Sequence, residues 1–292
     1  MTDHSPGAAG VDQRCYRHPE REAYISCQRC ERPICPQCMR EASVGFQCPS
    51  CVDEGAKSVR QPKNMAGGFV SSTVGRVSMV IIGINVVAYV LQIATGGSNG
   101  TVSLAGAMIA ESGRGPDGQA VTGVLDGGYW RLVTAAFLHN SLLHLAFNMY
   151  ALYLFGPFVE RALGAWRFSV AYLTMAVFSS VVVFVLSDPR TLTVGASGAV
   201  FGLFGMALVL LLKQKQNVNS LLVLLALNVA LSFRPGISWQ GHLGGFVAGL
   251  LIAVAIAYVP RERRQIAQIA VLAVLLIGSV VAVVLRTAAL TG

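Results

Sequence analysis

Seven stretches of this chain are apolar for about twenty residues each, the length a helix needs to cross the hydrocarbon of a bilayer. They run at roughly 75–94, 142–159, 166–186, 194–212, 218–233, 239–259 and 266–285. The fifth is the shortest, and it closes on Phe233-Arg234-Pro235-Gly236, a chain breaker. Backbone in hydrocarbon must bond all its own N–H and C=O groups, so such spans fold as packed helices. The expectation is an all-α polytopic membrane protein. Charged residues make up only 12% of the chain, where a soluble enzyme carries about a quarter. The apolar fraction of 54% is far too high for disorder.

The formal net charge of +8 raises the question of nucleic acid, and its location answers it. Residues 1–75 hold nine Lys/Arg against eight Asp/Glu, while residues 76–292 hold thirteen against six. The excess sits in the apolar part. With the N-terminus inside, eleven Lys/Arg fall on the inner side, including Lys213, Lys215, Arg261, Arg263 and Arg264. Five fall outside: Arg114, Arg131, Arg190, Arg234 and Arg286. By the positive-inside rule this predicts a cell-membrane protein with a cytoplasmic N-terminus and no nucleic-acid partner. Met1 to Gln13 lacks the apolar region of a secretory signal.

The expected organisation is a disordered tail (1–14), a cysteine-rich domain (15–52), a linker (53–75), a transmembrane domain (76–286) and a short tail (287–292). Between the first two spans, Thr95 to Gly128 contains ten glycines. A connection that long is usually functional or partly structured. It ends in Tyr129-Trp130-Arg131, suited to the membrane interface.

Polar groups in hydrocarbon are costly, so each needs a reason. The fourth span opens with Gly195-Ala196-Ser197-Gly198, placing Ser197 about one turn inside the expected helix. A serine nucleophile needs exposure and a donor for the developing oxyanion, and a helix N-terminus offers free N–H groups. The same residues also serve as plain packing residues between membrane helices. The sixth span opens with Gln240-Gly241-His242, at a depth similar to Ser197. Gly241, Gly245 and Gly249 form one smooth face, as Gly198, Gly202 and Gly205 nearly do on the fourth span. Two such faces would let the backbones approach and bring Ser197 near His242. The second span adds His139, His144 and Asn148, with His144 and Asn148 four apart on one face. A metal site is the alternative reading of the histidine pair, but the apolar spans offer no carboxylate or thiol at that depth to complete it.

The set Trp130-Arg131, His139-x4-His144-x3-Asn148, Gly195-Ala196-Ser197-Gly198 and His242-x2-Gly245-x3-Gly249 resembles the rhomboid family of intramembrane serine proteases. The resemblance implies a six-helix core plus a seventh C-terminal helix. It implies hydrolysis of peptide bonds in or beside transmembrane segments of membrane proteins. Ser197 would be the nucleophile and His242 the general base and acid. The oxyanion hole would come from the Ser197 N–H, His144 and Asn148. His139, Phe201, Gly195, Gly198, Gly245 and Gly249 would support the site, and catalysis would need no cofactor. Phe201 stands where some members carry a tyrosine that stacks on the histidine. Gly156-x3-Glu160 looks like the family's structural motif. The fifth helix and the loop 234–240 are the expected gate. The rival readings are an inactive relative acting as an adaptor, or an unrelated transporter or receptor.

All seven cysteines lie in the first 51 residues: Cys15-x2-His18, Cys27-x2-Cys30, Cys35-x2-Cys38 and Cys48-x2-Cys51. Eight ligands at this spacing make two tetrahedral zinc sites. Disulfides fit worse, because the cytosol is reducing and seven is an odd number. Only four residues separate Cys30 from Cys35, too short a span to favour closing one site. The expected sets are interleaved: Cys15, His18, Cys35 and Cys38 around one structural zinc, Cys27, Cys30, Cys48 and Cys51 around the other. The head resembles B-box or RING-like cross-brace modules. Such modules usually bind proteins, which points to a cytosolic protein partner; a ubiquitin-ligase role rests on analogy alone.

Overall fold

The computed structural model describes residues 13–58, 63–68, 73–116 and 118–292. Residues 1–12 of the expected tail, with His4, and residues 59–62 and 69–72 of the expected linker lie outside them, whereas Arg14, expected in the tail, forms an antiparallel bridge with Glu22. The chain divides into two compact units, Met1–Gln61 and Pro62–Gly292.

The first unit has almost no apolar core of its own. Two minimal antiparallel hairpins, β1 (Ile25–Ser26) with β2 (Pro33–Ile34) and β3 (Arg40–Glu41) with β4 (Phe46–Gln47), precede helix α1 (Pro49–Ser58). Its buried cluster is six cysteines joined by Ala23 and Ile34. So few residues cannot bury enough surface to fold unaided.

The second unit is a helical bundle. The expected spans form α2 (Arg76–Ala94), α5 (Leu142–Leu163), α6 (Ala165–Leu186), α7 (Ser197–Lys213), α8 (Asn219–Ser232), α9 (Trp239–Ala257) and α10 (Arg264–Thr291). Five of these are long and apolar enough to cross a membrane, and α7 and α8 are shorter apolar helices. This is a multi-pass membrane protein. Helix α7 is the centre of the bundle: twelve of its seventeen residues are buried, and it packs on α9, α5 and α6. Helix α10 packs on α6 and α9, and α2 on α5. The outer faces of α2, α8 and α10 expose large aliphatic side chains such as Val87, Leu227 and Ile277. In lipid that is the low-energy arrangement, not a defect.

Two polar devices fix the frame. Glu160 on α5 is buried and accepts from the N–H groups of Val77 (3.3 Å) and Ser78 (3.1 Å) and from Ser78 Oγ (2.9 Å). A carboxylate thus satisfies the free donors at the start of α2, where the helix dipole favours negative charge. A side chain at Gly156 would meet Ser78 Oγ at 2.5 Å, so this glycine lets α5 approach α2. The long connection between α2 and α5 is structured: α3 (Thr101–Gly106), a hairpin of β5 (Gly113–Arg114) and β6 (Ala120–Val121), and α4 (Arg131–Thr134). Arg131, only 2% exposed, donates to the carbonyls of Leu104 (2.8 Å), Ala107 (2.7 Å) and Thr122 (2.6 Å). Trp130 Nε1 donates to Ala105 O at 3.0 Å. One guanidinium therefore ties the end of α3 to the chain after β6, beside a cluster that buries Met108, Ala110 and Val124.

Candidate active site and metal centres

Helix α7 starts later than the sequence pattern predicts. Gly195 has φ +139°, outside the region helices use, and Ala196 is the N-cap. Ser197 is therefore the first residue of α7 rather than one turn inside it. Its own N–H and that of Gly198 lie in the first turn, where a helix supplies no backbone acceptor. The Gly195 N–H donates to Ala135 O at 2.9 Å, tying the approach to α7 to the residue that follows α4.

The space around Gly195 brings the candidate residues together. A Cβ built there would stand 2.7 Å from His144 Cε1, 2.9 Å from His144 Nε2 and 3.5 Å from Ser197 Oγ. The Ser197 hydroxyl and the His144 ring thus flank one small volume, left open because residue 195 has no side chain. His144 Nδ1 lies 2.6 Å from Asn140 Oδ1, which makes Nδ1–H the donor and turns Nε2 toward that volume. Asn148, buried, spends one amide hydrogen on His144 O at 3.0 Å and keeps the other. His139 is 1% exposed, its ring 5.0 Å from that of His144 at 67°, edge to face.

His242 is 9% exposed and occupies the first turn of α9, capped by Ser238, whose Oγ accepts from Gly241 N at 3.2 Å. Phe201, one turn along α7 from Ser197, stacks on the imidazole with ring centroids 4.0 Å apart and planes within 10°. The backbones of α7 and α9 touch. A Cβ at Gly245 would lie 1.8 Å from Gly198 O, and one at Gly249 2.0 Å from Gly202 O. Glycine is required at both for the helices to approach this closely. Ser179 Oγ on α6 donates to Gly241 O at 2.8 Å, beside the same contact. No hydrogen bond joins Ser197 Oγ to His242 among the described residues; catalytic pairs are often loose until substrate binds.

Three residues near the site carried no sequence signal: Asn140, Ser179 and Ser232. Ser232 Oγ lies 2.6 Å from His242 Nδ1. Each is a common polar residue with no motif spacing; Asn140 lies in the bend before α5, and Ser179 and Ser232 are placed by helix packing.

In the first unit the thiols and imidazole converge as two groups: Cys15, His18, Cys35 and Cys38, and Cys27, Cys30, Cys48 and Cys51, each set with ligand atoms within 4.8 Å of one another. His18 Nδ1 stands 3.4 Å from both Cys35 Sγ and Cys38 Sγ and 3.9 Å from Cys15 Sγ. Cys30 Sγ stands 3.7 Å from Cys48 Sγ. Zinc–sulfur bonds of about 2.3 Å at tetrahedral angles give S···S edges of roughly 3.8 Å, and a disulfide would need about 2.05 Å. The spacing fits metal ligation. All seven thiols are free. Burial raises the Cys15 and Cys27 thiols, but backbone N–H donors, led by those of Cys35 and Cys48, outweigh it and hold each down to about 6. Burial, reinforced by neighbouring thiols, pushes Cys38 up to about 11 and Cys51 up to about 12. A bound cation removes the remaining protons, since metal ligation deprotonates a thiol outright. Among the described residues, these two groups can hold metal ions.

Residues 126–259 match the family model described as the Rhomboid domain, which leaves the cysteine-rich head outside the match. The chain is 35% identical over 148 residues to YdcA of Bacillus subtilis, covering 49% of this chain and 74% of that protein. It is 34% identical over 139 residues to the rhomboid protease GluP of the same organism, covering 46% of this chain and 27% of GluP. With the rhomboid protease AarA of Providencia stuartii it shares 29% identity over 169 residues, covering 48% of this chain and 60% of AarA.

Proposed function

The chain belongs to the rhomboid family, and from that premise we propose that it is an intramembrane serine endopeptidase acting through Ser197 and His242 on transmembrane segments of membrane proteins. The observation that carries the reading is the stacked Phe201–His242 pair one helical turn from Ser197, on two helices whose backbones touch at Gly198 and Gly245. An inactive adaptor has no need of an oriented imidazole beside an unpaired serine hydroxyl.

In this reading Ser197 Oγ attacks the scissile carbonyl carbon while His242 Nε2 takes its proton. The carbonyl oxygen becomes an oxyanion held by the Ser197 N–H and the free amide hydrogen of Asn148. His144 Nδ1–H is spent on Asn140, so His144 donates to the oxyanion from Nε2 only as imidazolium. His242 then gives its proton to the leaving amine, and water attacks the acyl-enzyme with His242 again as base. A metal ion has no role in these steps.

Water must reach this chemistry, and helix length supports access from one side. Seventeen residues at about 1.5 Å rise span roughly 26 Å, short of a hydrocarbon layer of about 30 Å. With Lys213 and Lys215 at the inner boundary, Ser197 sits a few ångströms below the outer one. The charge bias supports that orientation, with the N-terminal unit in the cytosol. Ser197 is only half-buried, as a reagent-accessible nucleophile requires. The reading is tested with a serine-directed fluorophosphonate on the detergent-purified chain. We expect stoichiometric labelling that disappears in Ser197→Ala; labelling that survives the substitution overturns it.

For the head, we propose zinc as the metal at both groups, in a purely structural role. Thiolate-rich sets closed by four protein ligands suit zinc and leave no position for substrate. Folding of so small a unit then depends on metal. Chelation of the full-length protein is expected to make residues 13–58 cleavable by added trypsin, with Ser197 labelling unchanged. Loss of labelling on chelation would show that the metal acts in the protease unit as well.

A further inference from the structure

We propose that Ser232 is the positioning residue that sets the tautomer of His242. The inference rests on the Ser197–His242 reading and goes beyond it. A base that lacks a carboxylate partner still needs its ring held with Nε2 unprotonated. In the usual serine triad that is the work of an aspartate at Nδ1, and losing the correct tautomer there costs about 10⁴-fold.

Ser232 Oγ makes two contacts: 2.7 Å to Asn228 O and 2.6 Å to His242 Nδ1. A hydroxyl has one hydrogen. A carbonyl has none to give, so at 2.7 Å the Ser232 hydrogen must lie toward Asn228 O. The Ser232 oxygen can then only accept, and His242 Nδ1 must carry the donated hydrogen. In the neutral ring this leaves the lone pair on Nε2, the nitrogen required to take a proton from Ser197. Phe201 fixes the plane of the ring; Ser232 fixes which nitrogen bears the proton.

The placement of Ser232 argues against an incidental contact. A serine bonding its own i−4 carbonyl is common in helices and needs nothing further. Yet α8 is an apolar helix whose only buried residues are Leu221 near its start and Ser232 at its end. Its neighbours Leu231 and Phe233 are exposed. Leu221, Leu224 and Leu225 pack the first half of α8 on the cluster around Phe201 and Phe204, and at its last turn the one buried contact is the Ser232 hydroxyl. The base is therefore oriented only while the outer end of α8 is docked.

The test uses the full-length protein in detergent, the fluorophosphonate labelling rate at Ser197, melting temperature, and ¹⁵N spectra of histidine with His242 assigned by its loss in His242→Ala. Ser232→Ala should label about tenfold more slowly, the effect of one oriented hydrogen bond on a proton transfer. It should melt like the native chain, and its His242 should shift from the Nδ1–H form toward a mixture. Ser232→Thr, which keeps the hydroxyl, should label within threefold of native. The proposal is overturned if Ser232→Ala labels within threefold of native, if the His242 tautomer is unchanged, or if Ser232→Thr is as slow as Ser232→Ala while both melt normally. Labelling of Ser197→Ala in the same series would instead overturn the dyad itself, so the two failures are separable.

Discussion

A Ser197→Ala protein should cleave a membrane-tethered substrate at least roughly 10⁴-fold more slowly than the native chain, because removing the nucleophile of a serine protease typically costs that much or more. The structure gives no reason for a loss of folding. Ser197 Oγ makes no hydrogen bond to another described residue, and the residue is only half-buried. Alanine also suits the first turn of a helix. The substitution therefore separates chemistry from stability cleanly. Melting temperature should stay within a few degrees, and the variant should still bind substrate. Cleavage by the purified variant at a rate near native would remove Ser197 from the mechanism, whatever else the fold retained.

The second large effect is expected at Gly245, and two opposing terms decide its sign. Replacing a helical glycine with alanine ordinarily favours the helix by about 1 kcal/mol. Here the new methyl would sit 1.8 Å from Gly198 O, and it can be relieved only by parting two backbones. Overpacking costs typically about 1–3 kcal/mol and more where backbone must move. The clash should win, giving a net loss of roughly 2 kcal/mol or more with a matching fall in melting temperature. Because Phe201 and His242 face each other across this contact, labelling at Ser197 should fall as well. Gly278 on α10 is the control: nothing lies within 4 Å of a Cβ placed there, so Gly278→Ala should be neutral or mildly stabilising. If Gly245→Ala melted and labelled as Gly278→Ala does, the two helices would not approach as described.

Much of the fold was legible because its signals are local. Apolar length marks a membrane helix, and α5, α6 and α9 begin within one residue of where the pattern placed them. The cysteine pairs converge in the interleaved sets that chain spacing favours, since the four residues between Cys30 and Cys35 are a short span for closing one site. The start of α7 was misplaced because Gly195 reads as part of an apolar run, while its φ of +139° takes it out of the helix. The order in the segment between α2 and α5 was legible only as an expectation of some structure. That Arg131 holds three separate carbonyls could not be read from a glycine-rich stretch.

By itself the sequence determined the spans, the uneven spread of basic residues among the segments between them, the ligand pairs and the residue types available for chemistry. Each of these follows from composition and spacing along one chain, which set what a segment can bury and what it can ligate. The tertiary structure decided the rest: Ser197 at the first position of α7, the ring stack on His242 and the Ser232–His242 bond. These depend on how far helices approach and how they rotate about their axes. A difference of one ångström or a fraction of a turn makes or breaks a hydrogen bond, and no periodicity in the sequence records it.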